Sequence, residues 1–127
     1  MSPTDAPRDL LTLAEKDYKS ALILARSPDP EMEAAGFHLQ QAVEKSLKAW
    51  LALKRIDYPR THDLNPLLGL LEDAGEDIEP FCRLVALNPF AVQFRYEVAG
   101  ADFPDFEPLA QQASQLLTHV QALLAVS

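Results

Sequence analysis

Apolar residues recur three and four apart along most of the chain, and nowhere do they alternate as a half-buried strand requires. Leu10, Leu13, Ala14, Tyr18, Ala21, Leu22 and Ala25 trace a first amphipathic helix. Thr4 or Asp5 can cap it, and Pro7 suits its first turn. It stops at Arg26-Ser27-Pro28-Asp29-Pro30, a turn-forming stretch. A second helix is expected with Asp29 as cap and Pro30 as its opening residue, running to about Arg55. On a helical wheel, Met32, Ala35, Gly36, Leu39, Val43, Leu47, Trp50 and Leu53 make one broad apolar side. Gln40, Gln41, Glu44, Lys45, Lys48 and Arg55 make the other. So wide a stripe needs more than one partner helix, so this segment is the expected centre of a bundle.

The link Ile56-Asp57-Tyr58-Pro59-Arg60-Thr61-His62 is irregular, because Pro59 biases Tyr58 away from helix. Asp63 or Asn65 caps a third helix that buries Leu64, Leu67, Leu68 and Leu71 and ends at Gly75. Asp77 to Leu87 reads as a fourth, shorter helix interrupted by Asn88-Pro89. Phe90 to Tyr96 fits either a helical turn or an extended piece, and Val98 to Phe103 reads as loop. Asp105 caps the last helix, whose stripe is Phe106, Leu109, Ala110, Ala113, Leu116, Leu117, Val120 and Leu123. The expected fold is all-α: an up-and-down antiparallel bundle of four main helices plus a short one.

Composition narrows the function classes. With 127 residues, 48% of them apolar, the chain suits one globular domain. A net charge of −8 argues against broad electrostatic binding to nucleic acid, and no DNA partner is expected. The single cysteine excludes an internal disulfide framework and fits a reducing compartment. No apolar run is long enough for a signal sequence or a membrane span, so a cytoplasmic location without membrane contact is expected.

Few motifs carry chemistry. His38, His62 and His119 lie far apart, with no Glu-x-x-His, so no metal site is expected. The four glycines form no phosphate loop, and no cofactor is implied. Cys82, beside Phe81 and near Val85, reads as a buried structural thiol. On the second helix, Glu44 with Lys48 and Gln41 with Lys45 stand four apart, as surface i,i+4 pairs do. Phe37 falls in the same polar sector, so part of it is expected to be covered by another helix or a second subunit. In Arg60-Thr61-His62-Asp63, Asp63 caps while His62 packs or bonds to backbone; alternatively the cluster is functional. Arg95, after the apolar segment 90–94, suits either an external carboxylate or phosphate or an internal ion pair.

In order and type, these clusters resemble the HEPN family, the higher eukaryotes and prokaryotes nucleotide-binding domain. The resemblance lies in Leu13-Ala14-Glu15-Lys16-Asp17-Tyr18, in residues 37–49 with Gln40-Gln41-Ala42-Val43-Glu44-Lys45 at their centre, in Thr61-His62-Asp63-Leu64, and in Arg95-Tyr96 before a final helix. It covers about residues 8 to 124 and implies a helical bundle that commonly forms a homodimer. It also implies a minimal nucleotidyltransferase as partner, in toxin–antitoxin or two-part nucleotidyltransferase modules. Many members are metal-independent ribonucleases with Arg, four to six residues, then His. Arg55 and His62 meet that spacing, but across a loop containing Pro59.

Three functions follow as expectations. The first is a non-catalytic subunit binding a nucleotide or a nucleotidyltransferase partner through Gln41, Glu44, Lys45, Lys48, His62 and Arg95. The second is a ribonuclease toxin acting on RNA, with His62 as general acid or base and Arg55 stabilising the charged intermediate. The third is a scaffold dimer without ligand.

Overall fold

Pro7 opens α1 (Pro7–Arg26), and the chain then turns back to begin α2 (Met32–Leu53). After a link come α3 (Leu64–Asp73), a 3-10 helix (Glu79–Ala91) and α4 (Phe106–Ala125). The computed structural model describes residues 6–91 and 105–127, and among these there is no strand. The all-α bundle expected from periodicity is the observed fold.

α1 runs antiparallel to both α2 and α4. Against α2, Asp17 meets Lys45 while Leu24 O accepts from Glu31 N at 3.1 Å. Against α4, Glu15 meets Gln121 and Arg26 meets Glu107. α2 packs on all four other helices, as its wide apolar side requires. Ala35, Ala42, Ser46, Ala49 and Ala52 are buried along it. Small side chains at these places let neighbouring helices come close. Leu39, Val43, Leu47, Trp50 and Leu51 then interdigitate with Leu67, Leu71, Leu84 and Leu116 in one core.

Several boundaries differ from the sequence expectations. The N-cap of α1 is Ala6, without a side-chain cap, and Thr4 and Asp5 lie outside the described residues. α2 begins at Met32 with Glu31 as N-cap, not at Asp29-Pro30, because the Glu31 N–H is turned back onto α1. Asp63 does cap α3, its Oδ1 accepting from Asn65 N at 2.9 Å. Gly75 ends α3 at φ 86, with Gly75 N bonded to Glu72 O and Glu76 N to Leu71 O. This is a Schellman cap. α2 ends in the same motif, with Arg55 N on Ala52 O and Ile56 N on Leu51 O. There the left-handed position, φ 60, is held by Arg55 rather than glycine.

The expected α-helix over 77–87 is instead a 3-10 helix that continues through Asn88 and Pro89. Its buried residues are Phe81, Leu84, Leu87 and Phe90, a strict period of three. Three residues per turn is the 3-10 repeat, so only that helix puts all four on one line. Asn88 bridges to α3, Oδ1 accepting from Leu64 N at 2.9 Å and Nδ2 donating to Asp63 Oδ1 at 3.0 Å. Phe90 reaches α2 at Gly36, where a Cβ would stand 2.8 Å from its ring. Of the ambiguous segment, Phe90 and Ala91 are therefore helical; residues 92–96, the expected loop 98–103 and Arg95 lie outside the described residues.

Candidate functional site

The polar sector of α2 is not a wet surface. Gln40 is fully buried and Glu44 is 4% exposed. The wheel placed both with the solvated residues. The link after α2 folds over that side at His62, covering what one helix alone would leave open.

Glu44 is the hub. Its Oε2 accepts from Lys48 Nζ at 2.9 Å. Its Oε1 meets His62 Nδ1 at 2.9 Å and accepts from Gln40 Nε2 at 3.3 Å. Gln40 Nε2 also donates to the His62 carbonyl at 2.8 Å, and Gln40 Oε1 accepts from Gln41 Nε2 at 2.7 Å. The link is thereby tied to α2 twice at one residue, by the backbone and the ring of His62. Lys48 Nζ lies 5.9 Å from the centre of the Tyr58 ring, a cation–π distance. A buried carboxylate is tolerated because an ammonium and neutral donors surround it. His62 neither packs inward nor bonds backbone through its ring, as one sequence expectation had it. Its side chain is 67% exposed while Nδ1 is anchored below.

A second cluster of similar make lies one turn away. Asp17 Oδ1 meets His38 Nδ1 at 2.9 Å and Oδ2 accepts from Lys45 Nζ. The Phe37 ring stands edge-on to His38, centroids 5.3 Å apart. Phe37 is half-buried, so the expected cover over the polar sector comes in part from the chain itself. Of the two surface pairs expected on α2, Glu44–Lys48 forms, but half inside the protein. Gln41 turns instead to Gln40, and Lys45 to Asp17 on α1.

The structure thus joins Gln41, Glu44, Lys48 and His62 in one network and places Lys45 in a neighbouring one. Arg55 is exposed on the left-handed turn that ends α2. Sequence reasoning missed Asp17, Gln40 and His38 as network members. Asp17 carried a signal: it lies between Ala14 and Ala21 next to the buried stripe of α1, where a carboxylate needs a partner. Cys82 is exposed rather than buried. It lies between the inward-facing Phe81 and Leu84, and partial desolvation by the neighbouring chain, then Glu79, Glu72 and Asp77, push its pKa up. That makes it a poor nucleophile. Among the described residues no group of three or more His, Cys, Asp or Glu is placed to hold a metal ion, and no helix is long and apolar enough to cross a membrane.

The model of the HEPN domain family matches residues 7–126, nearly the whole chain. The chain belongs to the HEPN family. The match takes in both the residues that hold His62 and the 3-10 helix braced on α3. No curated protein and no solved structure matches significantly.

Proposed function

We propose that this HEPN domain is a binding subunit that docks a partner protein, a minimal nucleotidyltransferase, on the α2 surface headed by His62. The observation that carries the reading is an exposed imidazole whose orientation is fixed by a buried network. A side chain held in place before binding loses little freedom on binding, the usual basis of an efficient contact. The ammonium groups of Lys45 and Lys48 already face carboxylates, so the sector is nearly balanced in charge. It suits a protein surface better than a polyphosphate clamp. The net charge of −8 favours a basic partner face over bare RNA.

Isothermal titration against a minimal nucleotidyltransferase from the same genome tests this. Binding that weakens at least tenfold in His62→Ala, with the variant still folded at the titration temperature, is the expected result. Equal binding by wild type and His62→Ala refutes the assigned surface. A thermal-shift screen with nucleotides separates a ligand-binding subunit from a ligand-free scaffold dimer, since a ligand of the native state raises the midpoint.

One observation favours a second reading. A histidine backed by a carboxylate, with its other nitrogen in solvent, is an arrangement that general acid–base chemistry uses. In a metal-independent ribonuclease His62 would move the proton and Arg55 would face the charged phosphorus centre. Intact RNA after incubation with chelator at high protein concentration removes this reading.

A further inference from the structure

We infer that Glu44 is a positioning residue that fixes the tautomer of His62, placing the proton on Nδ1 and leaving Nε2 as a hydrogen-bond acceptor in solvent. Glu44 faces the ammonium of Lys48 through Oε2 at 2.9 Å, and Gln40 Nε2 donates to Oε1. Both oxygens of this carboxylate are thus engaged as acceptors, one from an ammonium and one from an amide. The nitrogen of His62 that meets Oε1 at 2.9 Å is Nδ1, so Nδ1 must be the donor. Nothing else in the network can reverse this. Gln40 Nε2 donates to the His62 carbonyl, which holds the residue's backbone while Glu44 holds its ring. The side chain is 67% exposed, and Nδ1 is the nitrogen that Glu44 engages, which leaves Nε2 for a ligand.

The consequence concerns ligand class, and it rests on the proposed binding surface. With its single ring proton on Nδ1, His62 presents an acceptor at Nε2, and the partner of that form is a hydrogen-bond donor, such as a hydroxyl or amide of the docked protein. An anion would be met by a lone pair. Asp17 sets His38 in the same way, one carboxylate oxygen on Nδ1 and the other on an ammonium, and so supplies an internal reference.

The test is a long-range proton–nitrogen correlation spectrum of the full chain with labelled histidine, taken at alkaline pH with the imidazoles neutral. His62 is expected to show a pyrrole-type Nδ1 and a pyridine-type Nε2. In Glu44→Met, His62 should shift toward the Nε2–H form that free imidazole side chains prefer, while His38 stays as it was. In Lys48→Gln, which keeps the carboxylate, His62 should remain Nδ1–H. That variant guards against general loosening, and the unchanged His38 signal reports an intact fold. Wild-type His62 as Nε2–H, or a tautomer unaltered by Glu44→Met, overturns the assignment. The measurement needs no partner, so it stands or falls independently of whether a nucleotidyltransferase binds.

Discussion

Gly36→Ala is a sharp test of how the 3-10 helix is seated on α2. A Cβ built at Gly36 would lie 2.8 Å from Phe90 Cδ1, 2.9 Å from Cγ and 3.2 Å from Cε1. Carbon atoms prefer roughly 3.5–4.0 Å, so the ring must retreat by several tenths of an ångström. Phe90 is 5% exposed and has little room to do so. Overpacking of this kind costs about 1–3 kcal/mol. Removing a glycine from a helix interior returns about 0.5–1 kcal/mol. The expected net loss lies between about 0 and 2.5 kcal/mol, centred on about 1 kcal/mol, and is read as a lower urea midpoint at constant slope. Gly69→Ala on α3 is the matched control. Nothing lies within 4 Å of its Cβ position, so only the helix term acts and stability should rise. On a Phe90→Ala background, Gly36→Ala should cease to destabilise, and the double-mutant cycle isolates the contact. A Gly36→Ala protein stabilised as much as the Gly69→Ala control, with no coupling to Phe90→Ala, would refute the seating of Phe90 against α2.

Other variants probe the remaining links. Arg55→Gly should raise stability by about 0.5–1 kcal/mol, because glycine relieves the left-handed strain at φ 60, and it removes the arginine the ribonuclease reading needs. Gln40→Met strands the His62 carbonyl and the Gln41 amide. It should cost about 1–3 kcal/mol and speed hydrogen exchange in the link 56–63. Glu107 is held below the usual carboxylate range, first by its hydrogen bond to Arg26. A depressed pKa contributes stability above the unfolded value and loses it as pH falls through the folded one. Glu107→Gln should therefore flatten the acid limb of the pH–stability curve, and the effect should shrink in high salt because the pair is exposed.

Much of the fold was legible because burial and period coincide in α1, α3 and α4. The stripe Phe106, Leu109, Ala110, Ala113, Leu116, Leu117, Val120 is the buried face of α4. The 3-10 helix was not legible as such, because the spacing of Ile78, Phe81, Leu84, Val85 and Leu87 also suits an α-helix, and only the buried set Phe81, Leu84, Leu87 and Phe90 shows the period of three. The site was half legible. Glu44, Lys48 and His62 stood out by residue type, and the structure joins them. A wheel cannot show that a distant link covers the polar side, so Gln40 and Glu44 were placed in water when they are buried. The place of Asp17 beside the buried stripe of α1 signals a need for partners, but not which, because His38 and Lys45 lie on another helix.

The central claim is that the surface of α2 around His62 is where this HEPN domain meets its partner. Titration of the wild type and His62→Ala with the minimal nucleotidyltransferase tests it most directly. The account predicts binding by the wild type and at least a tenfold loss in the variant, with both proteins folded at the titration temperature. Equal affinity for both would contradict it.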